Sequence, residues 1–143
     1  MTPFDYKKEY KALYLPKEMP SIVEVPSMQY AAVRGHGDPN EPEGEYGRAV
    51  AVLYGISYTI KMIDTSLAEL ITVSEGLCVQ CLHIGSYNEE PATVAKMDHY
   101  RMEQGYENDI SDRRRHHEIY LSDPRKVSPE RMKTVIRHPV RPK

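Results

Sequence analysis

The hydrophobic and polar positions along the chain predict a strand followed by a helix, and then the same order a second time. Alternating apolar residues predict a first strand over residues 21–34, where Pro26 favours a bulge or a sheet edge. Apolar positions at spacings of three and four predict a helix over about residues 43–62. A second strand is predicted over residues 77–84 and a second helix over residues 91–104.

Two further strands, at residues 116–121 and 132–138, are predicted after the second helix. The second unit therefore has the order strand–helix–strand–strand. No matching pair of strands is evident after Met62, so the first unit is predicted to lack its last two strands. We expect an α+β fold in one domain over residues 1–143, with an N-terminal arm at 1–20, a first half-unit at 21–62 and a second unit at 63–143.

The strand at residues 116–121 carries the most informative polar side chain, Glu118. Alternation puts Glu118 on one face with His116 and Tyr120, and puts Ile119 and Leu121 on the other. One face must meet a core, because a strand in a sheet seldom keeps both sides in water. If that face is the Glu118 face, the carboxylate must be neutral, hydrogen-bonded or matched by a ligand. If it is the other face, Glu118 is an ordinary solvent carboxylate.

Length and charge narrow the class of protein. The chain has 143 residues and a formal net charge of −2, which argues against the basic face typical of nucleic-acid binding. Its one basic run, residues 113–115, is flanked by Asp109 and Asp112, which partly cancel it. No apolar run is long enough to span a bilayer, and the first residues lack the pattern of a signal peptide. We therefore expect a cytoplasmic protein with no membrane or direct nucleic-acid partner.

The aromatic and cysteine content bears on binding and on metal chemistry. Eleven Tyr stand against one Phe and no Trp, and Tyr suits a surface that holds a ligand and also meets water. Cys78 and Cys81 have CxxC spacing, but on a predicted strand their side chains point to opposite faces. His116 and Glu118 share a face without a third ligand at a supporting spacing. We therefore expect no metal and no cofactor.

Several stretches together resemble the GyrI-like small-molecule-binding family, which also supplies effector domains of multidrug-sensing transcription regulators. The chain looks like the standalone branch, without a DNA-binding domain. The resemblance covers most of the chain, and its motifs are specific only in combination. They are Phe-Asp-Tyr-Lys-Lys-Glu-Tyr at 4–10, residues 49–62, Glu-Gly-Leu-Cys-Val-Gln at 75–80, His-Ile-Gly-Ser-Tyr at 83–87 and Glu-Ile-Tyr-Leu-Ser-Asp-Pro at 118–124.

The resemblance implies a pseudo-two-fold pair of strand–helix–strand–strand units with antiparallel sheet, and a hydrophobic aromatic cleft between them. The family's first unit has two further strands and then a helix, whereas this chain passes directly from Met62 to Ile63. Either the chain is shortened here or residues are absent between these two positions. A shortened chain would leave a sheet edge open to a second copy, which makes a homodimer possible.

The resemblance also implies the site residues. The family's acidic residue falls on Glu118, its neighbouring aromatic on Tyr120, and the tyrosine after the Gly-Ser turn on Tyr87. The helix aromatics fall on Tyr54 and Tyr58, for which packing at the edge of the core is the alternative role. His83 is included as a rim residue, although a hydrogen-bonded core histidine is the commoner role for such a residue.

Three functions stay open at this stage. The first is binding of hydrophobic or cationic aromatic small molecules in the aromatic cleft, in detoxification. The second, implied by the resemblance, is hydrolysis of cyclopropane-bearing electrophilic natural products, with Glu118 as general base and Tyr87 assisting through its hydroxyl. The third is a protein-interaction role of the gyrase-inhibitor kind, which would be indifferent to a change at Glu118.

Overall fold

A computed structural model describes residues 5–38, 41, 43–58 and 68–143. In chain order its elements are α1 (Tyr6–Glu9), α2 (Lys11–Tyr14), β1 (Ser21–Val25), β2 (Met28–Ala32), α3 (Glu45–Tyr58), β3 (Glu69–Val73), β4 (Gly76–Ile84), α4 (Glu90–Glu103), β5 (Tyr106–Asn108), β6 (His117–Tyr120) and β7 (Lys133–Pro142), with 3₁₀ turns at Tyr87–Glu89 and Pro129–Arg131. Helices and antiparallel sheets occur together, which confirms the α+β class.

The chain forms two compact units. The larger consists of Met1–Pro26 and Ser74–Lys143, and the smaller of Ser27–Val73. The division into an arm at 1–20, a half-unit at 21–62 and a unit at 63–143 stays a prediction.

The larger unit is built on an antiparallel sheet with the order β1-β4-β7-β5, in which β6 also pairs with β7. The long strands β4 and β7 are central, with Val79 opposite His138 and Leu82 opposite Val135. Strand β6 lies along β7 with Glu118 opposite Ile136 and Tyr120 opposite Thr134. Because side chains alternate across a sheet, this register decides which residues of three strands share a face.

Helix α4 packs against one face of this sheet. Met97 of α4 is fully buried with Val79 and Cys81 of β4 and Ile136 and Val140 of β7. Pro lies in the first turn of α4, where its missing N–H costs nothing, and Gly105 follows the helix with a φ of +80°. The apolar cluster therefore fixes α4 on the sheet, and the start of the helix lies over β6 and β7, because the Glu90 carboxyl there is close to Glu118 and Thr134.

The opposite face of the sheet carries a buried ionic network that sequence analysis did not predict. The Arg137 guanidinium donates from Nη1 to both carboxylate oxygens of Glu75, at 3.2 and 3.3 Å. His117 Nδ1 lies 2.8 Å from Glu75 Oε1. Glu75 and Arg137 are only 6% and 2% exposed. Such a pair is stable only when its charges and hydrogen bonds are matched, as they are here.

The same network holds helix α2 against the sheet. Arg137 Nη2 donates to the main-chain oxygen of Leu13 at 2.7 Å, and Gln80 Nε2 donates to that of Ala12, also at 2.7 Å. Leu13 is itself buried. Residues 12 and 13 are therefore attached to the sheet by hydrogen bonds as well as by apolar contact.

The smaller unit contains α3 and an antiparallel pair of strands, β2 and β3, with Tyr30 opposite Ile71. The prediction of one continuous strand over residues 21–34 is wrong, because the chain leaves the first sheet at Pro26 and pairs elsewhere from Met28. Proline lacks the N–H that a continuous ladder would need. Between α3 and β4 the described residues form one strand, β3, and the junction of Met62 with Ile63 lies outside them.

Among the described residues, no helix combines the length and the apolar character that crossing a membrane requires.

Candidate functional site

Glu118 and Tyr120 lie on the face of β6 that also carries the apolar core. Their register partners on β7 are Ile136, which is buried in that core, and Thr134, which is also buried. The Tyr120 hydroxyl donates to Glu118 Oε2 at 2.6 Å. The Glu118 side chain is 25% exposed, so it is mostly buried and still open to a ligand. Of the two environments that alternation left open, the structure shows the one beside the core.

Tyr87 reaches this pair from the turn that precedes α4. Gly85 adopts a φ of +146°, a conformation that side chains disfavour, and the Glu89 carboxylate then accepts from the main-chain N–H and hydroxyl of Ser86. The turn places the Tyr87 ring 5.2 Å from the Tyr120 ring, centre to centre. Two aromatic rings and a carboxylate are thereby brought together from two separate elements.

Glu90, the first residue of α4, adds a second carboxyl group close to Glu118. Burial and then the negative charge of Glu118 raise the pKa of Glu90 to about 7, and the nearby Thr134 hydroxyl offsets part of that rise. Glu90 Oε1 and Thr134 Oγ1 are both buried, and within the part of the chain described neither has a partner at good hydrogen-bond geometry, although the Thr134 hydroxyl is close enough to the Glu90 carboxyl to lower its pKa. The Glu90 carboxyl is thus held in a setting that disfavours its charge at neutral pH.

Two of these residues, Tyr87 and Glu90, border an open groove along α4. The groove has a volume of about 480 Å³ and is lined by Tyr87, Glu90, Pro91, Val94, Ala95 and Asp98. A mixture of apolar side chains with a few polar groups is typical of small-molecule sites. Asp98 is already paired with Arg101, whose Nε lies 2.7 Å from its Oδ1. The carboxyl group left to act on a ligand in the groove is that of Glu90, and the Glu118 carboxyl lies close to it.

Tyr87 lines the groove, and His116 and His138 lie near Glu118. Burial, followed by Glu90 and Glu118, raises the pKa of Tyr87, which therefore stays a hydroxyl donor at neutral pH. His116 Nε2 lies 3.6 Å from Glu118 Oε1, and its ring is 5.9 Å from that of His138. Burial and then His116 lower the pKa of His138, so this ring is kept neutral. The described residues include no cluster of three metal-ligating side chains.

The comparisons with known proteins decide the family. The model of the GyrI-like small molecule binding domain matches residues 51–141, which is more than half of the chain. The chain belongs to the GyrI-like family. The crystal structure of a hydrolase from Listeria innocua is similar to it, with a TM-score of 0.87 and 34% identity over 97% of this chain and 100% of that one. An uncharacterized conserved protein from Listeria innocua is similar at a TM-score of 0.87 and 33% identity, with the same coverage. Among curated proteins, none matches the chain.

The structure brings together three of the predicted GyrI-like site residues, Glu118, Tyr120 and Tyr87. His83, which precedes the turn, is buried, and both of its ring nitrogens already have partners. Nδ1 lies 2.8 Å from the Thr93 hydroxyl, and Nε2 lies 2.9 Å from the Ser86 carbonyl oxygen. A carbonyl oxygen only accepts, so Nε2 carries a proton. His83 therefore stabilises the turn that presents Tyr87, and its part in ligand binding stays a prediction.

The predicted helix aromatics belong to the smaller unit of this GyrI-like chain. Tyr54 is 55% exposed on α3, and the side chain of Tyr58 lies outside the described residues. Their part in ligand binding stays a prediction. No sequence pattern indicates Glu90 or Thr134. An acidic residue before a proline at a helix start is an ordinary surface pattern, and Thr134 is placed beside Tyr120 only by the pairing of β6 with β7.

Proposed function

We propose that this GyrI-like chain binds hydrophobic aromatic small molecules, cationic ones above all, in the groove beside Glu118. The observation that carries the proposal is the hydrogen bond from Tyr120 to a mostly buried Glu118 carboxylate that stands next to the Tyr87 ring. Family membership supports a small-molecule ligand in general.

The preference for a cation follows from charge and burial together. A carboxylate that is largely withdrawn from water attracts a positive charge more strongly than an exposed one does, because solvent screens it less. The faces of Tyr87 and Tyr120 add cation–π attraction and apolar area for a flat ring. The second carboxyl, on Glu90, gives the groove a further source of negative charge. Clearance of toxic aromatic cations is a biological use that fits these properties.

The Glu118→Gln variant tests this proposal. We expect it to bind ethidium, a fluorescent aromatic cation, about tenfold more weakly than the wild type, and to bind uncharged phenanthridine equally well. Fluorescence titration at neutral pH gives both affinities. Glu107→Gln is the matched control, since Glu107 is an exposed carboxylate paired with Arg141. Equal loss of both ligands, or no loss of either, contradicts the assignment of Glu118 as the cation-binding group.

A second candidate function is hydrolysis of strained electrophiles, which is favoured by the similarity to a Listeria innocua hydrolase. In this scheme the Glu118 carboxylate removes a proton from water, and the water oxygen bonds to a cyclopropane carbon. The broken carbon–carbon bond sends its electron pair into a conjugated carbonyl of the ligand, where the Tyr87 hydroxyl donates a hydrogen bond. The ligand oxygen then takes up a proton and Glu118 gives up the one it removed, so the net reaction adds one water molecule to the ligand.

Turnover separates the two candidates. If hydrolysis is the function, the wild type converts a cyclopropane-bearing electrophile to its hydrated product, and Glu118→Gln slows this by about 100-fold. Mass spectrometry of the ligand after incubation detects the added water. Binding of the same compound with no hydrated product leaves the binding function and rules out the hydrolytic one. The gyrase-inhibitor-like interaction role stays a prediction.

A further inference from the structure

The two oxygen atoms of the Glu118 carboxylate have different neighbours along the chain. Oε2 accepts a hydrogen bond of 2.6 Å from the Tyr120 hydroxyl. Oε1 lies 3.6 Å from Nε2 of His116, the residue that immediately precedes β6. That distance is too long for a hydrogen bond but short enough for a charge on one group to act on the other. Oε1 is therefore the oxygen whose surroundings change when His116 gains or loses a proton.

His116 is also the more accessible partner of this contact. Its side chain is 57% exposed, against 25% for that of Glu118. Histidine is the side chain whose charge ordinarily changes between about pH 5 and pH 8. The ring of His138 is 5.9 Å away, and burial and then His116 lower its pKa, which keeps it neutral. Of the two histidines, the one that contacts Glu118 is thus the one that water can protonate.

We propose that His116 determines which ligand charge the Glu118 site favours. When His116 is protonated, its ring is an internal cation beside Oε1 that partly cancels the carboxylate charge, so a ligand cation gains less there. When His116 is neutral, the charge of Glu118 is left to the ligand. This selection rests on the binding function proposed above and adds a pH range to it. Aromatic cations are favoured near pH 8 and lose much of their advantage over uncharged aromatic ligands near pH 6.

Other charged groups face the same site, and one of them also responds to pH in this range. The titratable or charged groups around His116, Glu118 and His138 are Tyr120 of β6, Tyr87 of the turn before α4, and Glu90, Asp98 and Arg101 of α4. Burial and Glu118 raise the pKa of Glu90 to about 7, so Glu90 also loses negative charge as the pH falls. Weaker binding of cations by the wild type in acid therefore does not identify His116. A His116 variant compared with the wild type at each pH does, because Glu90 is present in both proteins.

His116→Gln tests the selection on the full chain, since it removes the titratable ring and keeps a polar side chain. We expect it to bind ethidium about threefold more tightly than the wild type at pH 6, and equally tightly at pH 8. Uncharged phenanthridine is expected to bind the two proteins equally at both pH values. His99→Gln is the matched control, since His99 makes an exposed contact of 3.3 Å with Glu103, and it is expected to leave ethidium affinity unchanged. Fluorescence titration measures each affinity.

His116→Asn is expected to reproduce the result, which separates loss of the charge from an effect of the glutamine side chain. Thermal melting of each variant at both pH values establishes that it is folded. Equal ethidium affinity of the wild type and both His116 variants at pH 6 overturns the inference, and so does a gain of the same size at pH 6 and pH 8. Failure of the proposed binding function looks different, because Glu118→Gln would then bind ethidium as tightly as the wild type does.

Discussion

Replacing Glu75 with glutamine is expected to lower the free energy of unfolding by about 3–5 kcal/mol, the largest effect that we expect from one polar substitution in this chain. Arg137 is 2% exposed and would stay buried without its countercharge. Its hydrogen bonds to Gln80 and to the Leu13 carbonyl do not supply a negative charge. Urea denaturation followed by circular dichroism measures the loss.

The pH dependence of the free energy of unfolding tests the same ion pair, Glu75 with Arg137. Burial raises the pKa of Glu75, but His117 and Arg137 together outweigh burial and leave it below its usual value. A lowered pKa in the folded state contributes stability above the unfolded-state pKa, and that contribution is lost as pH falls through the folded-state value. In acid, the wild type is therefore expected to lose stability that Glu75→Gln never had.

Two further variants identify the cause of the loss. Glu107→Gln breaks an exposed ion pair with Arg141, and we expect it to cost less than about 1 kcal/mol. The double variant Glu75→Leu with Arg137→Met removes both buried charges, and it is expected to recover most of the stability that Glu75→Gln loses. If Glu75→Gln were as stable as the wild type, the ionic network would have no part in holding the fold.

Met97→Ala is expected to lower the free energy of unfolding by about 2–5 kcal/mol. Met97 is fully buried where α4 meets the sheet, and shortening it leaves a cavity among Val79, Cys81 and Ile136. Met102 on the same helix is 49% exposed and provides the matched control. We expect Met102→Ala to change stability by less than about 0.5 kcal/mol. Equal losses in the two variants would mean that α4 is not packed on the sheet as described.

A weaker contact between α4 and the sheet has a consequence for the groove. Glu90 lies in the first turn of α4, while Glu118 and Thr134 lie on the sheet strands beneath it. The distance between the two carboxyl groups therefore depends on how firmly Met97 is held. We expect folded Met97→Ala protein to bind ethidium more weakly than folded Met102→Ala protein does.

The sequence predicted β4 and α4 to within one residue at each end, whereas β7 continues four residues beyond its predicted end at residue 138. It missed β5, whose three residues are too few to show a period. Pro26 predicts a bulge or a sheet edge within the strand over residues 21–34, whereas the chain changes sheets there. A proline marks an interruption, but it does not say whether the chain resumes pairing with the same neighbour.

The candidate site likewise contains some residues that the sequence predicts and others that it does not. Glu118 and Tyr120 follow from alternation within one strand, and Tyr87 follows from a turn motif of the family. Glu90 and Thr134 are 44 positions apart in the sequence, and Glu75 and Arg137 are 62 apart. Contacts of that range depend on strand register, which no local pattern specifies.

The hydrogen bonds that attach residues 12 and 13 to the sheet are accepted by main-chain oxygens, and this limits which side chains the attachment requires. A carbonyl oxygen is present whatever the side chain, so the hydrogen bond from Gln80 to residue 12 places no demand on which amino acid stands there. The side chains that this attachment requires are therefore the donors, Gln80 and Arg137, and the buried Leu13, whereas residue 12 can change without loss of its hydrogen bond.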